Sequence, residues 1–156
     1  MRKGRRLGID VGDARIGVAT CDPSGLIATP IETVAAGLNA IARLRDIAQE
    51  YEVIECVVGL PLGLSGREGP AAEKVRGFAA DLAAAVSPVS VRLIDERMST
   101  VTAQSHLHAS GKNTKKSRSV IDQAAAVVIL QSALDAEKTR GEAPGELIEV
   151  GDDGTR

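Results

Sequence analysis

An α/β fold with one mixed sheet is predicted by three features of the chain. Two short β-branched runs are joined by a turn, helical periodicity sets in after them, and a later run is apolar throughout. The first run, Leu7-Gly8-Ile9-Asp10-Val11-Gly12, has the two-residue period of a strand, with Leu7, Ile9 and Val11 on one face and Gly8, Asp10 and Gly12 on the other. Residues 16–21 repeat the scheme, Ile16, Val18 and Thr20 alternating with Gly17, Ala19 and Cys21. Between them, Gly12-Asp13-Ala14-Arg15 is a connection of hairpin length. Asp22-Pro23-Ser24-Gly25 is a second turn and residues 26–34 a third extended run, which completes an antiparallel meander.

Over residues 37–51 the period changes. Leu38, Ile41, Leu44, Ile47 and Ala48 share a face at helical spacing, as on a surface helix packed against a sheet. Residues 53–60 are apolar on both faces, the pattern of a covered strand and so of parallel pairing. A glycine-rich loop over 61–69 leads to Pro70 at a first helical position and an Ala-rich helix over 71–86, with Val75, Phe78, Ala79 and Leu82 inward. Pro88 ends that helix, and residues 89–94 form another buried strand. Ser99 or Thr100 caps the next helix. His106 and His108 lie near its end, two residues apart and so on different faces, which suits surface or packing roles rather than metal binding. A strongly apolar helix over 124–134 follows, with Ser119 and Asp122 spaced as a capping box in which Asp replaces the usual Glu or Gln. From Gly141 onward the chain is acidic and rich in turn residues. Residues 1–140 therefore read as one domain and 141–156 as a flexible acidic tail.

The 156 residues suffice for a single core without staples. Cys21 and Cys56 lack the spacing of a zinc site and are too few for a disulfide framework. They read as small core residues of a cytoplasmic protein, with a bond between chains left open. The basic N-terminus lacks the apolar segment of a signal peptide, and no stretch is long enough to cross a membrane. With a net charge of −2 there is no global basic field, so any phosphate contact must be local. Aromatic residues make up 1% of the chain, which excludes base stacking as the main grip on a nucleic acid and leaves backbone and shape.

Asp10 is the first candidate functional residue, because a buried, unpaired carboxylate is costly and needs a reason. Its bare flanks suggest room for a bulky polar group such as a metal ion with a phosphate-bearing ligand. The competing reading pairs Asp10 with a buried Arg and uses the glycines for close helix packing. The loop at 61–69 matches neither the Walker A nor the dinucleotide pattern and carries little by itself. Asp95 and Glu96 sit at the C-terminal end of a strand, the edge that ligands favour in open α/β sheets, although either could simply pair with Arg97. The basic cluster after the N-terminus, with Lys112, Lys115, Lys116 and Arg118, leads directly into Asp122. Together the acids suit Mg²⁺, which binds through one or two carboxylates and takes further oxygen ligands from water and phosphate.

These motifs in this order resemble the YqgF/RuvX family of the ribonuclease H-like superfamily. The similarity is carried by Leu7 to Gly12 with Arg15-Ile16-Gly17-Val18-Ala19, by Val58-Gly59-Leu60-Pro61, by Asp95-Glu96-Arg97-Met98-Ser99-Thr100, and by Lys115-Lys116 through Asp122 with Ala124-Ala125-Ala126. It spans roughly residues 5–138. The resemblance implies a ribonuclease H-like, five-stranded mixed sheet of order 3-2-1-4-5. It also implies a Mg²⁺- or Mn²⁺-dependent endonuclease, acting in 5′-end processing of precursor 16S ribosomal RNA and ribosome biogenesis or on Holliday junctions. Asp10, Glu96 and Asp122 would then be the metal-binding catalytic acids. Lys112, Lys115, Lys116, Arg118 and Arg15 would meet structured RNA or branched DNA, and Arg97 would orient Glu96 or meet a phosphate. A homodimer would suit a two-fold junction. One departure stands out: in many ribonuclease H-like enzymes the second acid lies on the strand beside the first, whereas residues 53–60 offer only Glu55, near their start. Glu96 would have to reach across from the strand beyond, with backbones about 10 Å apart. Two other readings stay open. Asp10-Val11-Gly12 is similar to the phosphate motif of actin-like ATPases and sugar kinases, and a non-catalytic ribosome-assembly module would use the same surface without hydrolysis.

Overall fold

The computed structural model describes residues 2–63, 65–97 and 115–150, without the side chains of 115–120. The strands are β1 (Arg6–Val11), β2 (Arg15–Cys21), β3 (Ala28–Ala35), β4 (Glu55–Leu60), β5 (Ser90–Asp95) and β6 (Glu146–Ile148). The helices are α1 (Ala40–Glu50), α2 (Pro70–Val86) and α3 (Lys115–Arg140). All six strands join one sheet of order β3-β2-β1-β4-β5-β6. The meander is antiparallel, β1, β4 and β5 run parallel, and β6 returns antiparallel along β5.

The five-stranded order expected from the sequence is therefore present, with a correction at one edge. β6 comes from the stretch read as a flexible tail: Leu147 lies opposite Arg92, and Glu146 takes two hydrogen bonds from the Arg76 guanidinium of α2. Three residues are too short to show a period, so this strand left no mark in the sequence. Leu38 is a second correction. Placed with the inner face of α1 by its spacing, it precedes the helix and is fully exposed, while Ala40, Leu44, Ile47 and Ala48 make the buried face. The helix capped by Ser99 or Thr100, with His106 and His108, lies outside the described residues.

Two apolar layers sandwich the sheet. Leu7, Ile9, Ile16, Val18, Cys56 and Val58 pack with α1 and α2, whereas Ala19, Cys21, Val57 and Ile94 pack with Ala126, Ile129, Leu130 and Ala133 of α3. The odd residues of β1 thus face α1 and α2, and its even residues, Gly8 and Asp10, face α3. Small residues on that second face let α3 lie very close. A Cβ at Gly8 would stand 2.6 Å from the Leu130 Cβ, and one at Gly17 would overlap the main-chain carbonyl of Asp122. This overturns the idea that the bare faces leave room for a bulky ligand. Their space is filled by the α3 backbone.

Far from that contact, a buried ion network ties the N-terminus to the last turns of α3. Arg2 and Arg6 both donate to Glu137, and Arg2 and Arg92 donate to Glu55, all within 3.1 Å. Glu55, Glu137 and Arg6 are each at most 3% exposed. Such a network is costly to break, since a lost partner leaves a buried charge unpaired. Both cysteines are free and buried.

Gly17→Ala is expected to cost about 3 kcal/mol or more, because the added methyl displaces helix backbone rather than a flexible side chain. Gly77→Ala, on the exposed side of α2 where a Cβ meets nothing within 4 Å, should stabilise by roughly 0.5–1 kcal/mol. Urea unfolding of the two variants checks the contrast in sign.

Candidate active site

The C-terminal end of β1 gathers the three acids that the sequence singles out. Asp10 points to the α3 side of the sheet between two glycines. On one side it lies opposite Gly17 of β2. On the other, one step past the Ile9–Val58 pair, lies Gly59 of β4. Each glycine gives passage to an acid. The carbonyl of Asp122 rests on Gly17, so the close approach of α3 sets this residue beside Asp10. Glu96 follows β5, is tied to β4 by its N–H donating to the Leu60 carbonyl (3.0 Å), and lays its carboxyl over Gly59, with Oε1 3.1 Å from where a Cβ would be. The separation of the β1 and β5 backbones is thereby bridged by a Glu side chain crossing an empty position, and Asp10 and Glu96 share a hydrogen bond. Glu55 takes no part, being held by Arg2, Arg92 and Ser90 at the other end of β4.

Asp122 stands in the interior of α3, seven residues after its first residue, Lys115. It is therefore no N-terminal cap, and the capping-box explanation of its presence fails. Instead its Oδ2 accepts a hydrogen bond from Arg15 Nε (2.8 Å). The pairing of Asp95 or Glu96 with Arg97 resolves in favour of Asp95, which takes the Arg97 main-chain N–H (2.9 Å) and a fork of guanidinium bonds of 2.5–3.0 Å. Arg97 also reaches the carbonyl of Gly63 (3.4 Å) and so ties the glycine-rich loop to the rim of the site.

Burial and two neighbouring carboxylates push Asp10 in one direction. Loss of hydration comes first, followed by the hydrogen bond and charge of Glu96 and then the charge of Asp122, and together they raise its pKa from 3.8 to about 8. Asp10 thus keeps a proton at neutral pH unless a cation replaces it. Among the described residues no three His, Cys, Asp or Glu side chains close on one point as a finished metal cage. The donor set nevertheless fits a hard divalent ion: all its ligating atoms are carboxylate oxygens, and two of them now share a proton that a metal would displace.

Of the basic residues expected to meet nucleic acid, Arg15 and Arg97 lie at this rim. Lys115, Lys116 and Arg118 belong to the first turn of α3, about 6–10 Å along the helix axis from Asp122 at 1.5 Å per residue. Lys112 lies outside the described residues. Gly17 takes the close helix packing of the competing reading, and Gly59 is the position that the sequence left without a structural role. A glycine inside a strand commonly marks the close approach of another group, and that was the signal available for both.

A family model described as "RuvX: Holliday junction resolvase" matches residues 4–136. The chain belongs to the RuvX family. A relative from Streptomyces avermitilis named "Putative pre-16S rRNA nuclease" is 62% identical over 152 residues, covering 96% of this chain and 97% of its own. A relative of the same name from Thermobifida fusca is 49% identical, covering 96% and 98%. Among solved structures, Thermus thermophilus RuvC in complex with a Holliday junction substrate superposes with a TM-score of 0.57 at 16% identity, covering 93% of this chain and 99% of that one. That likeness gives this family member its ribonuclease H-like fold.

Because Asp10 holds a proton in the folded state that the unfolded chain gives up near pH 3.8, native stability should fall as pH rises from there towards 8. Asp10→Asn keeps the hydrogen bond to Glu96 without the charge. Its melting temperature in EDTA should exceed that of the wild type by a margin that grows between pH 5 and pH 8. A margin that stays constant or reverses contradicts the assignment.

Proposed function

We propose that this RuvX-family nuclease is a divalent-metal-dependent endonuclease acting on structured RNA such as precursor 16S ribosomal RNA, or on branched DNA, in the cytoplasm. The observation that carries the reading is the convergence of Asp10, Glu96 and Asp122 at one rim of the sheet, in a chain whose relatives are named as rRNA nucleases. Asp10, Glu96 and Asp122 would hold Mg²⁺ or Mn²⁺. Ions bound there supply Lewis acidity and an activated water for in-line hydrolysis of a phosphodiester.

The protein's own contribution is placement. Asp10 is fixed by the sheet, Asp122 by the packing of α3 on Gly17, and Glu96 by its main-chain bond to Leu60. Arg97, oriented by Asp95, would meet a phosphate beside the loop at 61–69; Lys115, Lys116 and Arg118 would guide the backbone along the start of α3, and Lys112 would add a further phosphate contact. With one Tyr, one Phe and no Trp in the chain, recognition rests on phosphate geometry and shape rather than on stacked bases. A four-way junction would be served by a homodimer. Among the described residues no helix is long and apolar enough to cross a membrane.

Labelled precursor rRNA and four-way junctions, incubated with the protein with and without Mn²⁺, test the proposal. Cleavage should require the metal, and Asp10→Asn, Glu96→Gln and Asp122→Asn should each slow it by at least about a hundredfold while substrate binding persists. Metal-independent cleavage, or binding without cleavage by the wild type on every substrate, would overturn it.

A further inference from the structure

Arg15 is paired with Asp122, one of the three acids of the site, and is held by fewer bonds than Arg43 or Arg76. Arg43 grips Glu32 with two guanidinium nitrogens, and Arg76 holds Glu68 and Glu146 with four bonds. Arg15 meets Asp122 through Nε alone among the described residues. Its side chain is 38% exposed against 18% for that of Asp122, so the arginine of the pair has the greater access to solvent. The main chain beneath it is fixed. Arg15 pairs with Ala35, its carbonyl accepts the Gly12 N–H (2.9 Å), and the neighbouring Ala14 carbonyl accepts the Ala36 N–H (3.0 Å). Releasing the carboxylate therefore needs only a rotation of the Arg15 side chain, with no movement of β2.

The same strand face explains why Asp122 stays in place when that bond opens. Arg15 and Gly17 are two residues apart on β2 and both face α3. Gly17 fixes the main chain of Asp122 by contact, while Arg15 holds only its side chain. Meanwhile the acids on the other side of the site, Asp10 and Glu96, are hydrogen-bonded to each other.

We propose that Arg15 is a resident counter-cation: it neutralises Asp122 until a divalent ion takes that carboxylate, and metal binding frees its guanidinium to face the phosphates of the substrate. The proposal rests on reading Asp10, Glu96 and Asp122 as metal ligands, and it couples loading of the metal to exposure of a phosphate contact. A divalent ion wins the exchange because it engages several carboxylates at once, whereas the monodentate arginine engages one.

Calorimetric titration of Mn²⁺ into the full chain without nucleic acid tests it, using wild type, Arg15→Gln, Arg15→Lys and Asp10→Asn. Arg15→Gln should bind Mn²⁺ about three- to tenfold more tightly, because a competing charge is gone, and Arg15→Lys should fall between it and the wild type. Equal or weaker binding by Arg15→Gln, with wild-type binding intact and abolished by Asp10→Asn, overturns the role of Arg15 and leaves the metal site standing. Absence of Mn²⁺ binding by the wild type, or unchanged binding by Asp10→Asn, overturns both. A readout without substitution guards against misfolding. In the wild type the Arg15 Nε–H resonance should be protected from solvent exchange in EDTA and lose that protection at saturating Mg²⁺, whereas protection unchanged by Mg²⁺ refutes the exchange.

Discussion

The approach of α3 to the sheet is the constraint on which the rest depends. Gly8, Gly17 and Gly59 leave bare positions on one face of β1, β2 and β4; the α3 backbone settles against Gly8 and Gly17, and its Ile129 side chain against Gly59. Packing of Ala126, Ile129, Leu130 and Ala133 against Ala19, Cys21 and Val57 holds it there. At the far end of α3 the buried carboxylate of Glu137, gripped by Arg2 and Arg6, ties its last turns to the N-terminus. A helix held this firmly carries Asp122 to the side of Asp10 as a consequence of packing, with no hydrogen bond between the two required.

Electrostatics then works against the fold at one point. Three carboxylates are brought to one rim, Asp10 among them largely removed from water, and the energy of that arrangement appears as a proton retained on Asp10 to about pH 8. Arg15 compensates at Asp122 and Arg97 at Asp95, while Asp10 and Glu96 face one another across Gly59. Functional sites commonly hold such locally unfavourable arrangements, supported by the stability of the surrounding core. The apolar layers on both faces of the sheet supply that support here.

Much of this was legible in the sequence, and the reasons for the exceptions are physical. The meander, the switch to helical period and the covered strand β4 all follow from burial patterns that repeat over six residues or more. Asp10 announced itself as a charge within an apolar run, and Glu96 and Asp122 became a set through the resemblance to the YqgF/RuvX family. The meaning of the glycines was not legible. A bare strand face is equally consistent with a ligand or with a helix, and only the position of α3, an element far away in the chain, decides between them. For the same reason Asp122 passed for a helix cap: local spacing to Ser119 imitates a capping box, but the helix begins at Lys115. Strand β6 was invisible because its pairing with β5 is specified by its partner, and Leu38 was misplaced because it is the first apolar residue after Gly37, before the helix has begun.

The most direct test of the account is a crystal structure of the protein soaked in Mn²⁺, with anomalous scattering used to locate the ions. Anomalous density is expected between the carboxylates of Asp10, Glu96 and Asp122. Density absent from that rim at saturating Mn²⁺, or found only at other carboxylates, would contradict it.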